Sequence, residues 1–497
     1  MPGSVPPDHR GNVITYGRPE LRFTMTISQD PPRISGSDTD TRVAEPLRLT
    51  KGQRRAFWGS FGGWAMDGFN WTVFGLVLAP TMVALLPRAG IEPTAANIGW
   101  YGQISAAIFL LGWGCSAIWG PIADRFGRKP AMTASIVIYG VFTALAGTAT
   151  NVWEWNGYRF LAAIGVGGEW AMAGTLLAEV LPERVRARFG GAMHSAAYVG
   201  VLAVSALYLV AGPQLGWRGM FLIGGLPALA VFVIRRMTPE PERWQQRADE
   251  VRRRSFWQPV IDILTPPYRA RTIGNLLLLA VCVIGLWAGS TYVPTAMTTL
   301  AKHAGYSHDA TVRLAGISAM TVAAFTIAGC FLVPRIANRF GRRATLAGLF
   351  GVMIIGAVGT YGVAYPLQSI VAMFVFLPTL GLGGANFAVF TIWLPEQYPT
   401  RMRATAFAFT TTLSRWFAAV GTFLIGYGIH ATGSLAIPIS LTAVVFLLGI
   451  AMVRLAPETR GQALPDERPD GSTRRRRPSH IESYKPFLDM TDRACDA

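Results

Sequence analysis

Residues Trp119–Met132 read WGPIADRFGRKPAM, and residues Val333–Leu346 read VPRIANRFGRRATL, 214 positions further along the chain. Two other segments repeat in the same order at offsets of 216 and 217 positions: Gly165–Gly168 (GVGG) with Gly381–Gly384 (GLGG), and Glu179–Arg186 with Glu396–Arg403. Three segments that recur in one order at nearly one offset predict that the chain consists of two related halves.

Both halves are rich in apolar stretches of about 20 residues, the length that crosses about 30 Å of hydrocarbon. We find twelve such stretches, near residues 57–82, 97–120, 131–150, 155–178, 190–212, 217–236, 272–297, 312–334, 344–364, 369–393, 404–429 and 434–455. The predicted fold is therefore an all-α membrane protein of twelve transmembrane helices in two pseudo-symmetric six-helix bundles. Two such repeats predict a pocket between them at the middle of the membrane.

The composition agrees with a membrane protein and excludes other classes. Of the 497 residues, 51% are hydrophobic and 15% are charged, whereas about 25% of a soluble protein is charged. The four cysteines form no CxxC pair and have no histidine at metal-ligand spacing. No GxSxG, HExxH or GxxxxGK[ST] motif is present. We therefore expect no enzyme, no metal and no other cofactor.

The positions of the basic residues predict the orientation of the chain. Of the 45 Lys and Arg residues, 39 lie in the tails and in the loops after even-numbered stretches, and such residues remain on the cytoplasmic side. Both termini are therefore predicted to be cytoplasmic in a multi-pass protein of the cell membrane. The net charge of +17 follows this topology, so we expect the lipid bilayer rather than nucleic acid as a partner.

The same pattern divides the chain into five parts. They are a disordered tail (1–56), a first six-helix bundle (57–236), a central cytoplasmic loop (237–271), a second six-helix bundle (272–456) and a disordered basic tail (457–497). The first tail has no apolar core and no cleavage pattern, so it is not a secretory signal.

Four charged residues lie inside the apolar stretches and away from their ends, where a charge costs roughly 2.5–3.5 kcal/mol. Asp67 and Glu169 are candidate proton-binding groups, since desolvation favours the protonated carboxyl; the alternative for Asp67 is a fixed hydrogen bond to a neighbouring helix. Arg159 lies ten residues before Glu169 and is expected to pair with an acid on another helix. Arg415 is a candidate for binding a substrate carboxylate bidentately, or for an interhelical hydrogen bond to a carbonyl.

Further polar and aromatic residues within the stretches are candidates for the pocket wall, although each also suits helix packing. They are Asn70, His194, Trp287, Tyr292 and Asn386.

The loop after the second stretch resembles the signature motif of the major facilitator superfamily. Its matching residues are Gly120, Asp124, Arg125, Gly127, Arg128 and Lys129. In the second half, Pro334 replaces the glycine and Asn338 the aspartate. The resemblance covers about residues 57–456, and it implies alternating access and a charged latch that stabilises one access state.

The repeated acids and bases look like parts of the same intracellular network: Glu179 with Arg184 and Arg186, and Glu396 with Arg401 and Arg403.

Within this superfamily, three stretches resemble the proton-coupled symporters of carboxylates and metabolites, which include the sialate and aromatic-acid groups. They are Asp67–Asn70 (DGFN), Gly165–Trp170 (GVGGEW) with Arg159 before it, and Gly216–Phe221 (GWRGMF). The resemblance implies that Arg159 takes part in proton coupling. Asn70 stands where the aromatic-acid symporters usually have a second aspartate.

These observations predict a monomeric secondary transporter that moves a small organic anion, a carboxylate, together with protons. Asp67, Arg159 and Glu169 are the expected proton-coupling residues, and Arg415 is the expected substrate-binding cation. A proton-driven multidrug exporter would use the same acids but would carry apolar or cationic cargo. A membrane receptor that does not transport is the third possibility.

Overall fold

The computed structural model describes residues 49–236, 240, 242–246, 249, 253–432, 434–462 and 464–465. Within these ranges the regular secondary structure is entirely helical. Most of the two predicted tails, residues 1–48 and 466–497, lies outside the described residues.

The first half consists of six helices. They are α1 (Lys51–Leu85), α2 (Ala95–Cys115), α3 (Trp119–Phe126), α4 (Arg128–Ala146), α5 (Val152–Val180) and α6 (Glu183–Arg236). Helix α1 begins six residues before the predicted stretch because Thr50 and Gln53 form a capping box. Helix α6 contains the fifth and sixth predicted stretches, separated by a kink at Gly216, whose φ of 59° favours glycine.

Two short helices, α7 (Glu242–Gln245) and α8 (Gln258–Leu264), lie in the segment that joins the halves. The second half consists of α9 (Arg269–Thr291), α10 (Val293–His303), α11 (His308–Phe340), α12 (Arg342–Ala357), α13 (Ile370–Gly384), α14 (Asn386–Trp393), α15 (Arg403–Thr432), α16 (Ala436–Ser440) and α17 (Thr442–Val453).

Three of the predicted stretches in the second half are discontinuous. The seventh is divided at Tyr292 into α9 and α10, the tenth at Ala385 into α13 and α14, and the twelfth at Leu441 into α16 and α17. Each interruption is local, because the backbone N–H groups of Tyr292, Ala385 and Leu441 still donate to the carbonyls of Ser290, Leu382 and Ile437.

Ten of the described helical stretches are long and apolar enough to cross a membrane. They match ten of the twelve predicted spans. The other two predicted spans, 217–236 and 404–429, also lie in helices, namely α6 and α15. The fold is thus the predicted helical membrane bundle.

Glycines allow the helices of each half to approach closely. A Cβ atom on Gly68 of α1 would lie 1.9 Å from the carbonyl oxygen of Ala197, and a Cβ on Gly200 of α6 would lie 1.9 Å from that of Ala65. Each helix therefore supplies a glycine at its crossing with the other. Small residues have this function in membrane interiors, where association depends on packing.

Replacing Gly68 with alanine is expected to lower the apparent melting temperature in detergent, since overpacking of a core costs about 1–3 kcal/mol. The matched control is Gly75→Ala in the same helix, where an added Cβ would have nothing within 4 Å. The control is expected to leave the melting temperature unchanged or raise it slightly, because alanine favours a helix. Equal melting curves for the two variants would contradict this account of the α1–α6 contact.

Candidate functional site

An aromatic cluster joins the two halves in the interior of the bundle. Its centre is Trp170 of α5, whose ring stacks on Trp64 at a centroid distance of 5.5 Å. The ring also contacts Phe387 of α14 at 5.7 Å and Phe407 of α15 at 5.4 Å. Its Nε1 donates to the hydroxyl of Thr391 at 3.1 Å. Trp170 therefore contacts helices from both halves.

Arg415 of α15 lies beside this cluster and is 5% exposed. Its guanidinium carbon lies 4.7 Å from the ring centre of Trp113, 5.7 Å from that of Trp170 and 5.9 Å from that of Phe387. One terminal nitrogen donates to the carbonyl of Thr411 in the same helix. Among the described residues, no carboxylate forms an ion pair with Arg415. The predicted interhelical bond to a carbonyl is thus replaced by a bond within α15.

Asn386 is the first residue of α14, directly after the break at Ala385. Its side chain is fully buried. Within the described part of the chain, neither its amide oxygen nor its amide nitrogen has a hydrogen-bond partner. The following residue, Phe387, contacts Arg415. Asn386 is thus a buried amide with unused donors and acceptors, one residue before the ring that contacts Arg415.

His194 of α6 completes this side of the cluster. Its ring stacks on Phe387 at a centroid distance of 6.1 Å and an angle of 7°, and it lies 5.3 Å from Trp170. The residue is buried, and its Nδ1 has no partner among the described residues. We define Trp113, Trp170, His194, Asn386, Phe387 and Arg415 as the central site.

The two candidate proton-binding acids, Asp67 of α1 and Glu169 of α5, are both fully buried. Glu169 directly precedes Trp170, so it lies next to the central site along α5. Asp67 lies on the same helix as Trp64, which stacks on Trp170. Both acids therefore belong to the first half and lie on helices that contribute to the aromatic cluster.

Arg159 of α5 does not pair with an acid among the described residues, contrary to the sequence-based expectation. Its Nη1 donates to the side-chain oxygen of Asn70 at 2.8 Å, and the Asn70 amide donates to the hydroxyl of Thr143. The guanidinium carbon lies 4.3 Å from the ring centre of Phe109 and 5.1 Å from that of Phe74. Arg159 and Asn70 thus connect α5 to α1 within the first half, and Phe109 lies between Arg159 and Trp113 of the central site.

The two remaining pocket candidates lie in the seventh predicted stretch. Tyr292 is half-buried and occupies the break between α9 and α10. The side chain of Trp287 lies outside the described part of the chain.

The end of the bundle that carries the signature motif is closed by contacts between the halves. Asp124 of α3 accepts hydrogen bonds from the backbone N–H groups of Ala404 (3.3 Å) and Thr405 (2.8 Å), and from the Thr405 hydroxyl (2.6 Å). These residues form the first turn of α15, where the helix dipole favours a negative charge. A Cβ on Gly120 would lie 2.6 Å from the Cα of Thr405, so only glycine permits this approach.

Glu179 of α5 extends the closed end as an ion pair shared between the halves. One of its carboxylate oxygens accepts from Arg128 at 3.0 Å and from Arg403 of α15 at 2.8 Å. Arg128 also contacts Asp124 at 3.2 Å and donates to the carbonyl of Thr400 at 2.9 Å. We define Asp124, Arg128, Glu179, Arg403 and Thr405 as the gate cluster.

The second half repeats part of this cluster, and the contacts of its members seen among the described residues stay within that half and the segment after it. Arg342 pairs with Glu396 at 2.8 Å, and it donates to the amide oxygen of Asn338 at 3.1 Å. Glu396 also accepts from the hydroxyl of Thr459 at 2.5 Å. These four side chains all belong to the second half of the chain or to the segment that follows it.

Two glutamates outside the membrane-spanning helices accept hydrogen bonds from the first backbone N–H groups of the two helices that follow the repeated motifs. Glu240 accepts from the backbone N–H groups of Arg128 and Lys129, at 3.2 Å and 2.7 Å, at the start of α4. Glu458 accepts from those of Arg342 and Arg343, at 3.0 Å and 3.1 Å, at the start of α12. Burial raises the pKa of Glu240. Burial also acts to raise the pKa of Glu458, but backbone N–H donors outweigh it and lower that pKa.

The other predicted gate residues do not join the gate cluster. Arg125 donates to the carbonyl of Arg254 at 2.8 Å, and Arg401 lines a surface cleft. Arg184 is exposed, and Lys129 contributes its backbone N–H to the Glu240 cap. Gly127 is the N-cap residue of α4 and has a φ of 108°, which favours glycine.

The capping glutamates and Arg342 were not among the site residues predicted from the sequence. A signal for them is present, because the dipeptide Pro-Glu occurs at 239–240 and again at 457–458, an offset of 218 that is close to the others.

Most of the chain matches one family of proteins. A family model described as the Major Facilitator Superfamily matches residues 60–422. The niacin transporter NiaP of Acinetobacter baylyi is 28% identical over 447 residues, covering 84% of this chain and 97% of that protein. The sialic acid transporter NanX of Escherichia coli is 26% identical over 407 residues, covering 80% and 89%. The solved structure of the proton:xylose symporter XylE matches with a TM-score of 0.69 at 17% identity, covering 83% and 98%.

Glu179→Gln is expected to open the closed end, because Arg128 and Arg403 would lose the carboxylate that they share. Removing one member of a buried ion pair costs about 3–5 kcal/mol. A single cysteine at Thr400, which is 8% exposed, would report the opening through its rate of maleimide labelling, with the native cysteines replaced by serine. We expect the rate to rise at least tenfold.

The matched control is Glu396→Gln, the same change at the equivalent position of the second half. Its partners Arg342 and Thr459 do not belong to the first half, so labelling at position 400 is expected to change little. Similar rates in the two variants would refute a specific role of Glu179 in holding the halves together.

Proposed function

The chain belongs to the Major Facilitator Superfamily, and from that premise we propose that it carries a small organic carboxylate across the membrane together with protons. The protein is a multi-pass membrane transporter and not an enzyme.

Arg415 gives the main support for carboxylate binding. It is a buried guanidinium at the junction of the two halves, and no carboxylate among the described residues pairs with it. An uncompensated buried charge is costly, so the site favours a ligand that brings a negative charge. The planar fork of a guanidinium matches both oxygens of a carboxylate.

Asn386 supports the same ligand class. Its unpartnered amide nitrogen is a donor suited to a carboxylate oxygen, and its unpartnered oxygen suits a hydroxyl or N–H group of the substrate. Such buried polar groups discriminate strongly, because a ligand that cannot pair with them leaves them unsatisfied.

The aromatic faces of Trp113, Trp170 and Phe387 would contact the apolar part of the substrate. They also surround Arg415 and shield its charge from lipid. Because these rings come from both halves, a ligand held among them would contact both halves at once. Alternating access requires this property of its substrate site.

The similar proteins support an organic acid as the substrate class. Their names specify niacin and sialic acid, and both compounds are carboxylic acids. The match to XylE, at 17% identity, supports the fold alone.

Proton coupling is assigned to Asp67 and Glu169. Both are buried carboxyl groups on helices of the aromatic cluster, and ionisable groups within a membrane mark proton and substrate pathways. A monoanion that moves with one proton transfers no net charge. The concentration gradients of the substrate and of the proton would then drive its uptake.

Arg415→Lys is expected to weaken carboxylate binding at least about tenfold, since lysine keeps the charge but loses the bidentate fork. Substrate-dependent quenching of tryptophan fluorescence measures binding, because Trp113 and Trp170 lie next to the guanidinium. A panel of carboxylates, including niacin and sialic acid, would be titrated against purified protein. The control, Arg313→Lys, changes an exposed arginine of α11 and is expected to retain full affinity. Unchanged affinity in Arg415→Lys would refute carboxylate binding by this residue.

Asp67→Asn is expected to abolish substrate-dependent acidification of proteoliposomes that contain a pH-sensitive dye, because the amide cannot bind a proton. Exchange of labelled for unlabelled substrate across the same membrane should persist, since exchange requires no net proton movement. Asp309→Asn, at an exposed site in the first turn of α11, is the control and should acidify normally. If lipophilic cations move protons and no carboxylate does, the protein is an exporter and the proposal is wrong.

A further inference from the structure

His194 is an ionisable residue of the central site that neither carboxylate binding by Arg415 nor proton coupling by the two acids accounts for. Its side chain is buried, and its Nδ1 has no hydrogen-bond partner among the described residues. A buried polar atom that is left unpaired is costly. The imidazole therefore favours a ligand that forms a hydrogen bond with this nitrogen.

His194 and Arg415 lie against the same two aromatic rings. The centre of the Trp170 ring lies 5.3 Å from the imidazole centre and 5.7 Å from the guanidinium carbon. The centre of the Phe387 ring lies 6.1 Å from the imidazole centre and 5.9 Å from the guanidinium carbon. A ligand that covers these rings with its carboxylate on Arg415 therefore meets His194 with another part of its body.

A hydroxyl is the group that best suits Nδ1. Two positive charges in one buried site repel each other, so the imidazole beside the Arg415 guanidinium is neutral. A neutral imidazole has one donor nitrogen and one acceptor nitrogen, and the tautomer decides which of them is Nδ1. Because a hydroxyl both donates and accepts, it pairs with Nδ1 in either tautomer.

A second carboxylate is less suited to this position. The central site has one permanent cation, Arg415, and the first carboxylate of the substrate neutralises it. A second negative charge beside His194 would be buried without an opposite charge, which is costly. A methyl group in the same place would leave Nδ1 unpaired.

We propose that His194 selects carboxylates that also carry a hydroxyl group. The carboxylate binds to Arg415, the hydroxyl pairs with Nδ1 of His194, and the rings of Trp170 and Phe387 contact a flat body between the two groups. This inference rests on the proposed function and names a substrate class within it, the planar hydroxy acids. A ligand without the hydroxyl is disfavoured because it leaves the buried nitrogen unpaired.

The test compares ligands that differ in one group of similar size. Isothermal titration calorimetry on the purified protein measures the binding of the three hydroxybenzoate isomers and of the three toluate isomers, in which a methyl group replaces the hydroxyl. We expect at least one hydroxybenzoate to bind at least about tenfold more tightly than the toluate with the same substitution pattern.

The outcomes separate this inference from the proposed function. Equal affinities for the hydroxyl and the methyl compound at all three positions would overturn the role of His194 and leave carboxylate binding intact. Binding of another carboxylate, with no binding of either series, would overturn the planar hydroxy acid alone. If no carboxylate binds, the proposed function and this inference are both wrong.

Two variants assign the preference to His194. His194→Phe keeps a ring that stacks on Phe387 but has no nitrogen, and it should reduce the preference for the hydroxyl to less than about threefold while toluate binding persists. His194→Asn should retain a preference, because the asparagine amide ends at the same distance from the backbone as Nδ1. An unchanged preference in His194→Phe would overturn the proposal.

Asn386→Leu distinguishes the two unpartnered side chains of the central site. It should weaken hydroxybenzoate and toluate binding by the same factor, because the amide nitrogen of Asn386 is proposed to donate to the carboxylate that both series share. Loss of the preference in Asn386→Leu and its persistence in His194→Phe would assign the hydroxyl to Asn386 and refute the proposal.

His303→Phe is the control for the histidine substitutions. His303 is exposed at the end of α10, so this variant should bind both series as the unchanged protein does. Size-exclusion chromatography checks that all four variants are folded. A loss of the preference in His303→Phe equal to that in His194→Phe would contradict a specific role of His194.

Discussion

A carboxylate shared between the halves is the central interaction at the closed end of the molecule. Glu179 holds Arg128 of its own half and Arg403 of the other half on the same oxygen, and all three side chains are buried. Such an arrangement is costly to desolvate and more costly to break, because any separation leaves a buried charge unpaired. The pairing therefore gives the contact between the halves two distinct states, formed or fully solvated.

Among the described residues, the duplicated sequence produces this link once, and close packing explains part of the difference. Gly120 of α3 allows Thr405 of α15 to approach, whereas Pro334, its counterpart in the second half, packs against Gly191 of α6. Each of these two contacts between the halves thus includes one glycine. In the first contact the glycine belongs to the signature motif (Gly120), and in the second it belongs to the helix that faces the repeated motif (Gly191). Asn338 also replaces the aspartate, so the second copy has no charge to place at a helix start in the first half.

Much of the fold follows from local sequence, because span length, basic loops and repeated motifs are properties of short segments. The breaks at Tyr292 and Ala385 were not predicted, although the sequence carries a local signal for each: Pro294 follows the first break, and Gly383 and Gly384 precede the second. The partners of buried charges were also difficult to predict. Arg159 bonds to Asn70, 89 positions away, and Arg403 to Glu179, 224 positions away. Sequence identified these residues as unusual, but only tertiary packing determines which of them meet.

Two helices connect the central site to the gate cluster. Helix α5 carries Trp170 and Glu179, and helix α15 carries Arg415 and Arg403. Twelve residues separate the two arginines, about 18 Å along a helix. Because each helix is a continuous rod over this distance, α5 and α15 cannot move apart at the gate without changing how Trp170 and Arg415 face each other. A ligand that binds between these two residues therefore alters the same interface that Glu179 holds closed, and this is the coupling that alternating access requires.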